Sequence, residues 1–134
     1  SRNELLASSF RRYRICEERG TGFQKVVGAI ELFGLPPLVF TLQENAFRVT
    51  LFAPRKFTDM SQTERIEACY QHAVLQYLSS STLTNTTVRE RFKLHEKYRN
   101  QITNLIGDAV AAGRIKRKDA GNGKKFAEYL PYWA

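Results

Sequence analysis

The 134-residue sequence has few of the side chains that build covalent or metal-held frameworks: two cysteines, two histidines, one methionine and one tryptophan. Cys16 and Cys69 fall within helical patterns, no Cys-x-x-Cys occurs, and only His72 and His95 add imidazoles. A structural zinc ion takes four cysteine or histidine ligands at short, regular spacings. We therefore expect neither a metal site nor a disulfide framework.

Long apolar runs are missing as well. No segment approaches the roughly eighteen apolar residues that a membrane-spanning helix needs, and no signal-peptide pattern opens the chain. We expect a cytoplasmic protein of bacterial type with no membrane partner. With 43% hydrophobic and 25% charged residues, the composition is that of one globular domain or two small ones. Because the chain begins at Ser1 without a methionine and turns helical almost at once, we expect a piece of a longer protein.

Acidic residues are scarce relative to basic ones. Lys and Arg number 21 against 13 Asp and Glu, which leaves a net charge of +8. Residues 1–59 contribute +3 and residues 60–134 contribute +5, whereas residues 89–125 alone carry eleven basic and four acidic side chains. Such a block attracts an anionic partner, and nucleic acid is favoured over a membrane surface. A merely solubilising surface is the alternative that charge leaves open.

The first part of the chain, residues 1–58, has the pattern of two helices followed by a β-hairpin. The predicted elements are helices over about 3–18 and 23–33 and strands over 38–42 and 46–52. Asn3 is the expected N-cap of the first helix, and Gly20 and Gly34 follow the two helix ends as C-terminal stops do. In the second strand Phe47, Val49 and Leu51 alternate with polar residues, so we expect one buried face.

A two-stranded hairpin in so short a segment buries little core. We therefore expect the hairpin to be the edge of a larger sheet whose other strands are missing from this chain. An incomplete sheet leaves apolar surface in residues 1–58, through which the chain is expected to self-associate.

The second part, residues 59–134, follows a different order. The predicted elements are a helix over 61–78, a short helix capped by Asn85 or Thr86, a helix over 96–112, and strands over 114–117 and 126–130. Ser61 and Glu64 stand at capping-box positions. Helix, short helix, longer helix and a basic hairpin is the order of a winged helix-turn-helix. We thus assign an α+β fold, a small helix–helix–β-hairpin segment followed by a winged helix-turn-helix domain.

The third helix of that domain would enter the major groove of double-stranded DNA. If its apolar residues face the core, Lys97, Asn100, Thr103 and Asn104 lie on the outward side. Asparagine amides suit hydrogen bonds to base edges, and a lysine reaches phosphate or guanine. An ordinary solvated helix face is the alternative.

Two further groups of cations are candidate phosphate contacts. Arg89 and Arg91 precede the third helix, but residues two apart cannot share one helix face, so one of them is open to an internal ion pair. The predicted wing carries the other group: Lys116, Arg117, Lys118, Lys124 and Lys125. Cations crowded on one hairpin favour an anion there, against the alternative of a soluble loop.

No catalytic constellation emerges. Residues 121–125 lack the first glycine and the Ser or Thr of a P-loop. The Gly20-Thr21-Gly22 loop is either a phosphate cradle or, as these residues alone favour, a helix stop followed by a turn. His72 falls beside the buried stripe of its helix, which favours a packed or surface position over a catalytic role, and His95 begins a helix with no obvious cysteine or carboxylate set. We expect no catalytic residue in this chain.

Several segments resemble the C-terminal part of bacterial proteins labelled RecG-related ATP-dependent DNA helicases or transcriptional regulators. The matching segments are Arg2-Asn3, Leu5-Leu6-Ala7, 17–22, 34–37, 47–52, Thr84-Asn85, 88–92, 109–116 and 129–134. In that family a Schlafen/Alba-type N-terminal domain, absent here, precedes a region similar to a histidine-kinase-type ATPase. The resemblance implies that residues 1–58 are the C-terminal remnant of this α/β domain and that residues 59–134 are its winged helix.

The resemblance also implies candidate nucleotide contacts. Gly20 and Gly22 match the family's glycine motif, and Asn3 matches its Arg-Asn pair. The parts that would supply the magnesium-binding asparagine and the adenine-binding acid lie upstream in the family. We therefore expect no cofactor in this fragment and ATP in the full-length parent.

Taken together, the sequence predicts a DNA-binding C-terminal fragment of a transcriptional regulator or DNA-transaction protein. One alternative is a regulatory piece of an ATP-dependent helicase-like enzyme with its catalytic part upstream. The other alternative is a winged helix that binds protein partners.

Overall fold

The computed structural model describes residues 3–16, 21–119 and 127–134. Within these ranges the chain is α+β, with five α-helices and two small antiparallel hairpins. The helices are α1 (Glu4–Arg12), α2 (Gly22–Phe33), α3 (Gln62–Leu78), α4 (Asn85–Arg91) and α5 (Arg99–Ala111). The strands are β1 (Val39–Gln43), β2 (Ala46–Thr50), β3 (Ile115–Arg117) and β4 (Tyr129–Pro131). Single 3-10 turns, Phe57–Asp59 and Glu96–Tyr98, precede α3 and α5.

Capping side chains fix where the helices begin. Ser61 and Glu64 form the expected capping box of α3. The predicted cap of α4 was wrong by one or two positions, because Thr84 is the N-cap and exchanges hydrogen bonds with Thr87. Asn85 is the first helical residue instead, and its side chain is free to reach another helix.

Backbone conformation fixes where two helices end. Gly34 follows α2 with φ 66°, a left-handed conformation that glycine adopts without steric cost. α1 ends at Arg12, short of the predicted end at residue 18, because Tyr13 leaves helical geometry and Arg14 has φ 58°. The predicted helix over 96–112 starts as the 3-10 turn and becomes α-helical only from Arg99.

The main core lies in the second part of the chain. It joins α3, α4, α5 and β3 through Cys69, Ala73, Leu83, Val88, Ile102, Leu105, Ile106, Ala109 and Ile115, with Phe57 at its edge. The four inward residues of α5 are those that helical spacing predicts. β3 and β4 close over this core in a register that pairs Ile115 with Pro131 and Arg117 with Tyr129.

A smaller apolar cluster joins the first part of the chain to α3. Val27 and Ile30 of α2 pack with Leu38, and Leu75 of α3 lies against them. The Gln71 side chain accepts from the Leu38 N–H at 3.1 Å and donates to the Leu38 carbonyl at 2.8 Å. A buried backbone unit left unpaired is costly, so this two-bond contact fixes the loop before β1 against α3.

The β1–β2 hairpin departs from its sequence-based prediction. Its register runs from Val39 opposite Thr50 to Gln43 opposite Ala46. The face expected to be buried is nevertheless exposed, because few apolar groups in the described ranges cover it. Phe40 contacts Phe47 at 5.6 Å between ring centroids and Phe23 of α2 at 6.1 Å.

No helix in the described part of the chain combines the length and the apolar character needed to cross a membrane.

Candidate nucleic-acid interface

The α5 helix presents a polar face opposite the main core. With 3.6 residues per turn, the direction opposite the buried stripe is occupied by Asn100, Asn104, Gly107 and Ala111. All four residues are exposed, all are short, and none is charged. Short side chains let a helix axis approach a groove closely, and the two amides both donate and accept. This face therefore has the shape and chemistry for contact with base edges.

One flank of α5 is tied to α4. The Asn85 amide donates to the Arg99 carbonyl and to the Thr103 hydroxyl, both at 3.0 Å. The Thr103 hydroxyl in turn donates to the Arg99 carbonyl at 2.9 Å. Thr103, a sequence-predicted DNA contact, is exposed as expected, but its hydroxyl is engaged in holding α5 against α4.

The opposite flank of α5 borders a shallow cleft against the start of α3. Asn104 and Gln101 line it, together with Arg65 and Asp108. Gln62 donates a short hydrogen bond to Asp108, and Arg65 donates to the carbonyls of the preceding 3-10 turn. Because Asp108 repels phosphate, the cationic side of the α5 face is the flank next to α4.

Exposed cations lie at the start of α5 and on the neighbouring strand β3. Lys97 precedes the helix, its ammonium 5.3 Å from the Tyr98 ring centroid, and Arg99 begins it. Lys116 is exposed on β3. Lys118 donates to Glu128 at 2.9 Å, and this hydrogen bond raises the pKa of Lys118 and lowers the pKa of Glu128. An exposed ion pair of this kind is weak, so a phosphate can compete for the lysine.

Arg89 and Arg91 have different environments although they are two residues apart. Arg89 is partly exposed on α4, where its guanidinium donates to the Asn85 and Thr86 side chains. Arg91 is 5% exposed and donates to the Leu35 carbonyl at 3.0 Å. The sequence-based assignment of Arg91 to DNA is corrected by this burial, and Arg91 is the residue that makes the internal ion pair.

The partner of Arg91 is a buried acid–base cluster between α2 and α3. The Arg91 Nε atom lies 4.0 Å from the Glu31 carboxylate, and His72 Nδ1 lies 2.9 Å from both oxygens of that carboxylate. Burial lowers the pKa of Arg91, and the Glu31 charge opposes that shift. Burial also raises the pKa of the neighbouring Cys69 thiol to about 12. The cluster holds the two parts of the chain together.

Lys93 belongs to the same contact region. Its ammonium donates to the Leu32 carbonyl near the end of α2, at 2.9 Å. Lys93 thus satisfies a carbonyl at a helix C-terminus, where a cation is favourable.

The remaining predicted wing residues are only partly described. Arg117 on β3 is half-buried. Lys124 and Lys125 lie outside the described residues, as does Gly20.

The two other residues matched to nucleotide binding have local structural roles. Asn3 caps α1, with its side-chain oxygen accepting from the Leu6 N–H at 3.0 Å. Gly22 is the first residue of α2, and a Cβ there would meet no atom within 4 Å. Within the described residues no three His, Cys, Asp or Glu side chains converge as metal ligands.

An aromatic cluster was missed by the sequence reasoning. Tyr70 and Tyr77 of α3 meet the two aromatic residues that follow β4, with Tyr132 stacked on Tyr70 at 6.1 Å and Trp133 edge-on to Tyr77 at 5.3 Å. The Trp133 indole N–H donates to the Tyr70 hydroxyl at 3.1 Å. The available signal was the seven-residue spacing of the two tyrosines, which places them two turns apart on one face of α3.

Comparison with known proteins adds one finding about the first part of the chain. Residues 1–51 match the family described as "Putative ATP-dependent DNA helicase recG C-terminal". No curated protein and no solved structure matches the chain significantly. Residues 1–51 are thus similar to a RecG-related, ATPase-like C-terminal region.

Proposed function

We propose that this chain binds double-stranded DNA through residues 59–134, which act as a winged helix-turn-helix. The observation that carries the proposal is the outward face of α5, with uncharged Asn100 and Asn104 at its centre and exposed cations on the side next to α4. α5 would lie in the major groove, and α4 would brace it from the backbone side.

The proposed contacts with DNA are of two kinds, those with base edges and those with phosphates. Asn100 and Asn104 would contact base edges, because their amides match the donor and acceptor of adenine in the major groove. The phosphate contacts would come from Arg89, Lys97, Arg99, Lys116 and Lys118, with Lys124 and Lys125 as further candidates in the wing. Arg99 joins this set because it begins α5 in an exposed position.

The salt dependence of binding tests the proposal. Each neutralised phosphate steepens the slope of log affinity against log salt by about 0.9, so about five contacts give a slope near −4 to −5. Fluorescence anisotropy of a labelled random duplex, titrated with the 134-residue chain at several salt concentrations, measures this slope. A slope near zero would contradict the mechanism.

A charge-reversal pair localises the contact. The double variant Lys116→Glu/Lys118→Glu should weaken duplex binding by at least tenfold at low salt, because two attractive contacts become repulsive. Lys56→Glu reverses an exposed lysine at the end of the first part and should change affinity by less than about twofold. Because the double variant reverses two charges and this control reverses one, a loss in Lys56→Glu that is half of the double variant's loss on a logarithmic scale would mean that only net charge matters, and not the proposed surface.

A second candidate function rests on the family match over residues 1–51. On this alternative the chain is a regulatory piece of an ATP-dependent helicase-like enzyme whose catalytic part lies upstream. DNA-stimulated ATP hydrolysis by the full-length parent protein, absent from the present chain alone, would favour this alternative. DNA binding with no nucleotide turnover in the parent would favour the regulator.

A further inference from the structure

The aromatic cluster beside α3 is rigid and half-open. Tyr132 and Trp133 are 53% and 47% exposed, although each already packs against a tyrosine of α3. The indole N–H is bonded to Tyr70, so the polar edge of Trp133 points inward and its open surface is ring. Flat rings held in one orientation lose little conformational entropy when another flat group stacks on them.

Cations stand next to these rings. The Arg114 guanidinium lies 4.9 Å over the Tyr70 ring, and the Tyr132 N–H donates to the Arg114 carbonyl at 3.1 Å. Glu67 pairs with this guanidinium, but the Arg114 side chain is 42% exposed and an ion pair of this kind is weak, so a phosphate can compete for it. Lys116, two residues after Arg114 in the chain, is exposed on β3. The surroundings of the open rings therefore favour an anionic ligand.

Aromatic rings flanked by cations match the chemistry of an unpaired nucleotide, which offers a base to stack and a phosphate to neutralise. A proline-rich peptide is the other common ligand of exposed Tyr and Trp, but it brings no negative charge. The net charge of +8 favours the nucleic acid. We infer that Tyr132 and Trp133 form a stacking surface for unpaired bases of single-stranded DNA.

This surface shares Lys116 with the proposed duplex-binding face but is otherwise distinct from it. The cleft beside Asn104 lies at the start of α3, near Gln62, whereas Tyr70 and Tyr77 lie eight and fifteen residues later on the same helix. At 1.5 Å per residue the two tyrosines are about 12 to 20 Å from the cleft along the α3 axis. The choice of DNA over RNA rests on the proposed function. The stacking of bases on the two rings is inferred from the geometry of the rings and does not depend on that function.

The intrinsic fluorescence of the chain gives a direct test, because Trp133 is its single tryptophan. Titration of the unmodified 134-residue chain with a 20-nucleotide oligothymidylate should quench this fluorescence saturably. Thymidylate is chosen because it forms no stable secondary structure. Absence of quenching at low salt, where binding should be strongest, would overturn the inference.

Side-chain variants identify the rings that stack. Anisotropy of fluorescein-labelled oligothymidylate should show affinity losses of about tenfold for Tyr132→Ala and for Trp133→Ala, since removal of a stacking ring typically costs between about 5- and 150-fold. Tyr132→Phe and Trp133→Phe keep a ring and should stay within about threefold of the parent. If an alanine variant does not fold, Tyr132→Leu and Trp133→Leu, which keep apolar bulk but no ring, should show the same loss.

A matched control uses an aromatic residue elsewhere. Tyr13 is 75% exposed just after α1, and Tyr13→Ala should leave the oligothymidylate affinity unchanged. Thermal melting followed by circular dichroism checks that each variant is folded. An equal loss in Tyr13→Ala and Tyr132→Ala would overturn the assignment to this surface, as would unchanged affinity in folded Tyr132→Ala and Trp133→Ala.

Further ligands separate this inference from the proposed function. Tyr132→Ala should keep its affinity for duplex DNA, and Asn100→Ala/Asn104→Ala should lose duplex affinity while keeping oligothymidylate affinity. If the parent binds duplex but not oligothymidylate, the stacking surface alone is refuted. Binding of a proline-rich peptide in place of oligothymidylate would refute it too, and tighter binding of oligouridylate would refute the choice of DNA.

Discussion

At the residue scale, one helix shows how two arginines in similar sequence positions acquire opposite roles. Arg89 and Arg91 lie about 200° apart around α4, so one must face the protein when the other faces out. The sequence indicates that the two arginines cannot face the same way, but it does not indicate which of them is buried. The choice is made by Glu31, which lies sixty residues upstream of Arg91 and becomes its neighbour only after α2 has packed on α3.

Substitution of each arginine by methionine separates the two roles. Arg91→Met should lower the free energy of unfolding by roughly 2–4 kcal/mol, because it leaves the Leu35 carbonyl and the buried Glu31 carboxylate without their cation. Arg89→Met should cost less than about 1 kcal/mol, since its hydrogen bonds are exposed and local. Urea denaturation measures both changes.

For duplex affinity we expect the opposite order, with the larger loss in Arg89→Met and the smaller loss in Arg91→Met. Arg89→Met removes one proposed phosphate contact, so the salt slope should fall by about one unit at unchanged fold. A folded, stable Arg91→Met variant with reduced duplex affinity would show instead that Arg91 leaves its buried position when DNA binds.

At the element scale, the start of α3 and the inward face of α5 could be predicted, because a capping box and 3.6-residue periodicity are local properties of the sequence. Ser61 and Glu64 illustrate this, and the buried stripe of α5 does so as well. The burial of the β1–β2 hairpin could not be predicted. Alternation of apolar residues shows which face of a strand is suited to burial, but another element must be present to cover it.

The α3 capping box makes part of the stability dependent on pH. Glu64 accepts from the Ser61 N–H at 2.8 Å and from Arg55 at 2.5 Å, and the backbone hydrogen bond is the main cause of its lowered pKa. A carboxyl whose pKa is lower in the folded state stabilises that state above its unfolded pKa, and this contribution is lost as the pH falls through the folded pKa.

Glu64→Gln should therefore lower the free energy of unfolding by roughly 0.5–1 kcal/mol at pH 7. The difference from the parent should shrink as the pH falls below about 4, because the parent carboxyl is then protonated as well. Urea denaturation between pH 3 and pH 7 follows the effect. Glu44→Gln, in the exposed turn between β1 and β2, is the control and should show little change at any pH. A Glu64→Gln deficit that stays constant over this pH range would contradict the explanation.

At the scale of the whole molecule, the two parts of the chain differ in how much apolar surface they cover. Residues 59–134 enclose most of the main core, whereas α1 and the β1–β2 hairpin leave Leu5 and Leu42 each 83% exposed. The composition of the sequence and its short first segment predict such a surplus, since about fifty residues cannot enclose a core of their own. What covers this surface depends on another chain or segment, which composition cannot identify.

We expect this uncovered surface to drive self-association. Sedimentation velocity should show a concentration-dependent shift beyond the monomer, because exposed apolar side chains adjoin open strand edges. Leu42→Lys, in the middle of that surface, should restore the monomer. Leu78→Lys, which alters a half-exposed leucine at the end of α3, should not. A parent chain that stays monomeric at all concentrations, with hairpin amides protected from hydrogen exchange, would count against this expectation.

The two thiols of the chain are in opposite situations. Cys16 is exposed, whereas Cys69 is enclosed in the main core. A maleimide or disulfide reagent should therefore label Cys16 at once and Cys69 only during the moments when α3 separates from α5. The rate of Cys69 labelling therefore measures how often the core opens, without any denaturant. A ligand that stabilises the folded state should lower this rate.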